Sequence, residues 1–127
     1  MARYEHLPIY KKAMELGLYL QETVRNFSRY NKYTIGADLR NLSLDIIKMV
    51  IRANSSRNKT ELLEELVAHC ETLKIMIVFA KEAKAFNNFK NFQHAAGLAA
   101  NICKQSEGWL QSSRKKSQNY QPPKTGR

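Results

Sequence analysis

Cysteine is scarce in this chain: only Cys70 and Cys103, far apart and each inside an apolar helical stretch. A fold held by disulfides is denser in cysteine than this, so both read as small buried hydrophobes. Glycine is thin too, and Gly17, Gly36, Gly97, Gly108 and Gly126 stand isolated, which excludes a glycine-rich loop that cradles phosphate. Long apolar runs are missing. The longest, from Ile75 to Ala80, falls far short of a membrane span. The opening MARYEHLPIYKKAMEL has no cationic lead into an apolar stretch, so no secretory signal is expected and the expected compartment is the cytoplasm. Alternation with a period of two is never sustained, so no strand is expected.

Catalytic and metal signatures are equally sparse. No CxxC or HExxH occurs, and His69, Cys70, His94 and Cys103 lack the paired spacing of zinc ligands. Glu64-Glu65 opens a helix, where carboxylates offset the dipole; it does not read as an acid/base pair. The expectation is no catalytic residue, no metal and no cofactor.

Acid is the other shortage. Asp+Glu number 11 against 21 Lys+Arg, a net charge of +10. Such a surplus points to a polyanionic partner, and phosphate backbones are the commonest kind. The chain is 43% hydrophobic and 25% charged over 127 residues, enough for one domain with its own core.

Four helical segments carry that core. The first runs from about Pro8 to Tyr30, with Ile9, Ala13, Leu16, Leu20 and Phe27 in one row and the polar Ser28–Lys32 stretch as its break. The second is expected to start at Thr34 as N-cap and to end at Asn54-Ser55-Ser56-Arg57-Asn58. The third follows a Thr60 cap, with Leu62, Leu66, Cys70, Leu73, Ile77 and Ala80 inward. The fourth covers about Phe89 to Ser113 and is rich in small residues, Ala95, Ala96, Gly97, Ala99 and Ala100, that admit a close neighbour. Residues 114–127, with two prolines and no apolar period, are expected to form a disordered basic tail. Short breaks force neighbours to run antiparallel, so the fold class is all-α: an up-down-up-down four-helix bundle over residues 1–113.

The second and third helices hold more apolar residues than one stripe requires. Beside Ile35, Leu39, Leu42, Ile46, Met49 and Ala53 runs another row, Leu44, Ile47 and Ile51, with Val50 between. The third carries Ile75-Met76-Ile77-Val78-Phe79. A surface helix needs about three apolar positions in seven, and monomers rarely expose contiguous apolar patches. The excess implies a homo-oligomer, unless a wide core or the N-terminal Tyr4 and Leu7 cover it within one chain.

The basic residues fall in groups. Lys11, Lys12, Arg25 and Arg29 decorate the first helix, and Arg29 and Lys32 form a basic turn flanked by Tyr30 and Tyr33, aromatics suited to stacking on unpaired bases. Lys48 and Arg52 share a face of the second, with Arg40 nearby. Lys74 and Lys81 lie two turns apart on the third, with Lys84 beside them; Lys90, Lys104 and Lys115 line up along the fourth. Adjacent acids neutralise some, and any single one of these reads first as a solvated charge. As a set they point to RNA or DNA held through phosphate contacts, with steep salt dependence and little sequence preference.

Three segments carry a family resemblance: LPIYKKAMELGLYLQETVRNFSRYNKYTIGADLRNLSLDIIKMVIRANSS, ETLKIMIVFAKEAKAF and SEGWLQSSRKK. They resemble the accessory variability determinant proteins of diversity-generating retroelements. The telling pieces are Asn26-Phe27 followed by Lys32-Tyr33-Thr34-Ile35-Gly36 and Leu39-Arg40, then Arg52-Ala53-Asn54, then Gly108-Trp109-Leu110. The wider group, also four-helix bundles, includes proteins encoded in intervening sequences of bacterial 23S ribosomal RNA genes. The resemblance implies a pentameric barrel with a basic surface that binds a reverse transcriptase and its template RNA. It implies a non-catalytic accessory to mutagenic cDNA synthesis, the polymerase chemistry lying on the partner. The alternatives are a ribosomal intervening-sequence protein and a helical protein–protein adaptor whose charge is incidental.

Overall fold

The computed structural model describes residues 4–119. A 3-10 turn at Tyr4–His6 leads into α1 (Pro8–Arg25), a short α2 (Arg29–Tyr33), α3 (Ile35–Ser55), α4 (Thr60–Glu82) and α5 (Phe89–Asn119). The four long helices make a helical bundle, and no strand forms among the described residues. Each long helix packs on the next along the chain, and α5 closes back onto α1. The start of α4 lies beside the end of α5: the Thr60 and Ser113 hydroxyls are 3.0 Å apart, and Arg114 meets Glu64 at 2.8 Å.

Local chemistry explains the boundaries. Pro8 occupies the first turn of α1, where its missing N–H costs no hydrogen bond. The expected break after α1 holds a helix of its own. Ser28 caps it, Oγ accepting from the Asn31 N–H at 3.4 Å, so the polar stretch supplies its own helix signal. Thr34 then kinks the chain into α3. Its hydroxyl donates to the Tyr30 carbonyl at 2.8 Å instead of capping α3.

Gly36 makes this corner possible. A Cβ there would lie 2.6 Å from Val24 Cγ1 and 2.9 Å from the Asn31 carbonyl oxygen, so the first turn of α3 presses directly on the ends of α1 and α2. Lys59, not Thr60, precedes α4, and its ammonium donates to the carbonyls of Ala53, Asn54 and Ser56 at 2.8, 3.0 and 2.8 Å. A cation thus closes the negative end of α3. α4 ends on Lys84 in the left-handed region, φ 60°, with the Ala85 N–H returning to the Ala80 carbonyl at 2.9 Å.

The core follows the expected rows with local shifts. Ile9, Ala13, Leu16, Leu20 and Val24 of α1 are buried, as are Leu39, Ile46, Val50 and Ala53 of α3. On α4 the row starts one position later than expected: Leu63 is fully buried and Leu62 only partly. On α5, Ala95 and Ala99 are buried while Gly97 and Ala100 face outward, so only part of the small-residue run serves close packing. Cys70 and Cys103 are free thiols buried between α4 and α5, beside the buried Ser106. α5 continues as helix through residue 119, past the boundary expected at 113; residues 120–127 of the expected tail lie outside the described residues. Arg114, assigned to that tail, ties α5 to α4 through Glu64.

The excess apolar residues divide. Val50 joins the core, and Ile47 packs so near α1 that a Cβ on Gly17 would sit 3.2 Å from its Cδ1. Leu44, Ile75, Val78 and Phe79 stay exposed, at 49%, 66%, 46% and 57% of their surface. Tyr4 does not shield them; it packs edge-on against Tyr10 of α1 at 5.0 Å.

Candidate nucleic-acid and partner surface

The basic residues singled out in the sequence divide by what they touch. Lys12 pairs with Glu15 at 3.3 Å, Arg25 with Glu22 at 3.6 Å, Lys74 with Glu71 at 3.5 Å and Lys81 with Glu82 at 3.2 Å. Lys81 also sits over the Phe92 ring, 5.1 Å from its centre, which holds its stem against α5. Lys11, Arg29, Lys32, Arg40, Lys48, Arg52, Lys84 and Lys104 form no ion pair among the described residues. Of these Lys32 and Arg40 are half-buried and the rest exposed. Lys48 and Arg52 stand one turn apart on solvent-facing α3. These cations are spread over α1, α2, α3, α5 and the turn that follows α4.

The aromatic residues sort as differently. Tyr19 is a packing residue: its hydroxyl donates to Asn91 Oδ1 at 3.0 Å and its ring meets His94 edge-on at 4.5 Å. Tyr10 is held by Tyr4. Tyr30 and Tyr33 are 77% and 68% exposed, and with Ile35, Met76 and Phe79 they line a groove of about 490 Å³ where α2 meets α3 and α4. Arg29 and Lys32 lie on the same short helix, so this corner offers flat apolar faces beside positive charge. Tyr120 lies outside the described residues.

No three His, Cys, Asp or Glu side chains converge on a metal-sized site among the described residues. His69 Nδ1 is held 2.9 Å from the Glu65 carbonyl of its own helix, and His94 packs on Tyr19. The Cys103 thiol is pushed up by its hydrogen bond with Cys70 and by burial, so it stays protonated and is a poor nucleophile.

One group escaped the sequence reading. Arg57 and Lys59 of the α3–α4 connection and Lys116 of α5 converge with Trp109 around a cavity of about 290 Å³ at one end of the bundle. Burial and the neighbouring Lys116 charge push the Lys59 ammonium down from its usual value. The only sequence signal was the spacing of Trp109, Ser112, Ser113 and Lys116 on one face of α5, and it lay across the boundary drawn between bundle and tail.

The described residues thus make a helical bundle with exposed apolar positions on α3 and α4, and the chain carries a cationic surplus. Its family is specific: the chain matches the bAvd-like family over residues 7–113 and belongs to it. This is a family of accessory variability determinant proteins, an accessory kind of protein. No curated protein matches the chain at a significant level. No described helix is long and apolar enough to cross a membrane.

Proposed function

We propose that this protein is a non-catalytic accessory subunit of a retroelement reverse transcriptase, binding the enzyme and its template RNA during mutagenic cDNA synthesis in the cytoplasm. The observation that carries the reading is the bAvd-like match over residues 7–113, which takes in α1 to α4 and most of α5. The net charge of +10 supports the nucleic-acid half. Lys11, Arg29, Lys32, Arg40, Lys48, Arg52, Lys84 and Lys104 are the primary phosphate contacts in this reading, being free of acidic partners among the described residues. Lys12, Arg25, Lys74 and Lys81 must first exchange a carboxylate for a phosphate and contribute less.

The proposed assembly is a homo-oligomer of up-down-up-down antiparallel bundles, five copies by resemblance. The exposed Ile75, Val78 and Phe79 of α4 and Leu44 of α3 support it, because water is an unfavourable neighbour for such side chains. Gathering several copies multiplies the positive charge into one large surface. The test is co-purification of the tagged chain with a retroelement reverse transcriptase from the same genome, with RNA retention measured against salt. A complex whose RNA affinity falls steeply as salt rises is expected. A stable monomer of 14.7 kDa, indifferent to both polymerase and RNA, overturns the reading. Partner binding that survives charge reversal at Lys48 and Arg52 in high salt, with no RNA retention, marks an adaptor instead.

A further inference from the structure

The cavity at the α3–α4 connection belongs to none of these surfaces, and its chemistry is more particular. Its cationic members are Arg57, Lys59 and Lys116, and no carboxylate lines it among the described residues. The nearby Glu64 is already engaged by Arg114 at 2.8 Å. Lys59 spends its N–H groups on the carbonyls ending α3, so it lends charge but is held in place. Arg57 and Lys116 are exposed and keep their donors free of ion pairs among the described residues. Drawing these like charges to one opening is unfavourable unless an anion shares it. Hydroxyls suited to oxyanions also face it, including Ser112 and the bonded Thr60–Ser113 pair. The half-buried Trp109 forms a wall, a flat apolar platform beside the charge.

We propose that this pocket is a phosphate site that takes a nucleotide, Arg57 and Lys116 gripping the phosphate and the Trp109 indole stacking on the attached base. The volume of about 290 Å³ is of the order a mononucleotide fills. The same chemistry is offered by a free nucleotide and by the phosphorylated end of a nucleic acid. The site does not depend on a reverse transcriptase partner, and it differs from the diffuse surface by being local, saturable and selective for the terminal phosphate.

Trp109 is the chain's single tryptophan, so all indole emission comes from a side chain that lines this pocket, and the Arg57 and Lys116 variants separate binding here from binding at the second cavity that it lines, with Leu7 and Pro8. The full chain is titrated with adenosine 5′-monophosphate, adenosine and inorganic phosphate. A short 5′-phosphorylated oligonucleotide and its 5′-hydroxyl twin follow. A saturable emission change with the phosphorylated probes, and none with adenosine, is expected. Response to the monophosphate assigns the site to free nucleotides, and response to the phosphorylated oligonucleotide alone assigns it to nucleic-acid ends. Arg57→Gln and Lys116→Gln should each weaken the response about tenfold, the loss of one charge-assisted hydrogen bond. Both side chains are exposed, so circular dichroism should show an unchanged fold. Lys48→Gln with Arg52→Gln should leave the emission titration as it was. Equal affinity for the phosphorylated and hydroxyl twins, no saturable change with any phosphate probe, or indifference to both variants overturns the proposal.

Discussion

Gly36→Ala adds a single methyl group at the tightest corner of the chain. The new Cβ would lie 2.6 Å from Val24 Cγ1 and 2.9 Å from the Asn31 carbonyl oxygen. The valine methyl can swing aside; the carbonyl is backbone, fixed by α2, and cannot. Overpacking of this kind costs up to about 3 kcal/mol. Replacing glycine by alanine inside a helix returns about 1 kcal/mol, so the net loss is about 2 kcal/mol. For a domain of this size about 3–5 °C accompanies each kcal/mol, so the melting temperature should fall by about 6–10 °C. Gly97→Ala is the matched control. It is also helical, and its added Cβ meets nothing within 4 Å, so it should gain stability through propensity alone. Thermal unfolding of both variants, at equal chain concentration so that assembly does not bias the comparison, gives the answer. A Gly36→Ala protein as stable as the parent would refute the claim that this corner is packed against backbone.

Other perturbations follow the same geometry. Ile75→Glu with Phe79→Glu should leave far-ultraviolet circular dichroism intact while collapsing the solution mass toward the single chain, read by light scattering; a parent protein already monomeric would remove the basis for this. Lys84→Gly should raise stability by about 1 kcal/mol in urea unfolding, since lysine holds φ 60° at the end of α4 where glycine is unstrained. The same change should slightly weaken RNA retention, because Lys84 is one of the exposed cations. Lys59→Met should cost about 1–2 kcal/mol in the same assay, leaving the carbonyls that end α3 without their ammonium partner.

The helix faces were legible because apolar spacing is a local property. Ile9, Ala13, Leu16 and Leu20 could be placed inward from their interval alone, and they are buried. Where two apolar residues adjoin, as at Leu62-Leu63, the interval does not say which turns inward; tertiary packing decides, and Leu63 is the one fully buried. The turn α2 was missed because its polar composition reads as a loop, while a single bond from Asn31 to Ser28 starts a helix there. The fully buried Ser106 was also missed; it satisfies itself by donating to the Cys103 carbonyl at 2.8 Å, a contact that hydropathy does not register. Lys59 carries no sequence signal that sets it apart, yet its three carbonyl partners make it part of the architecture. The pocket around Trp109 joins residues of a connection to residues of a distant helix, and no local window contains both.

Sealing Cys70 and Cys103 along the seam between α4 and α5 gives the protein a built-in alarm for its own opening. A thiol reagent meets neither sulfur while those helices stay together, so the pace of alkylation counts how often they part. Because the chain holds no other cysteine, that clock runs without background, and anything that clamps the seam must slow it.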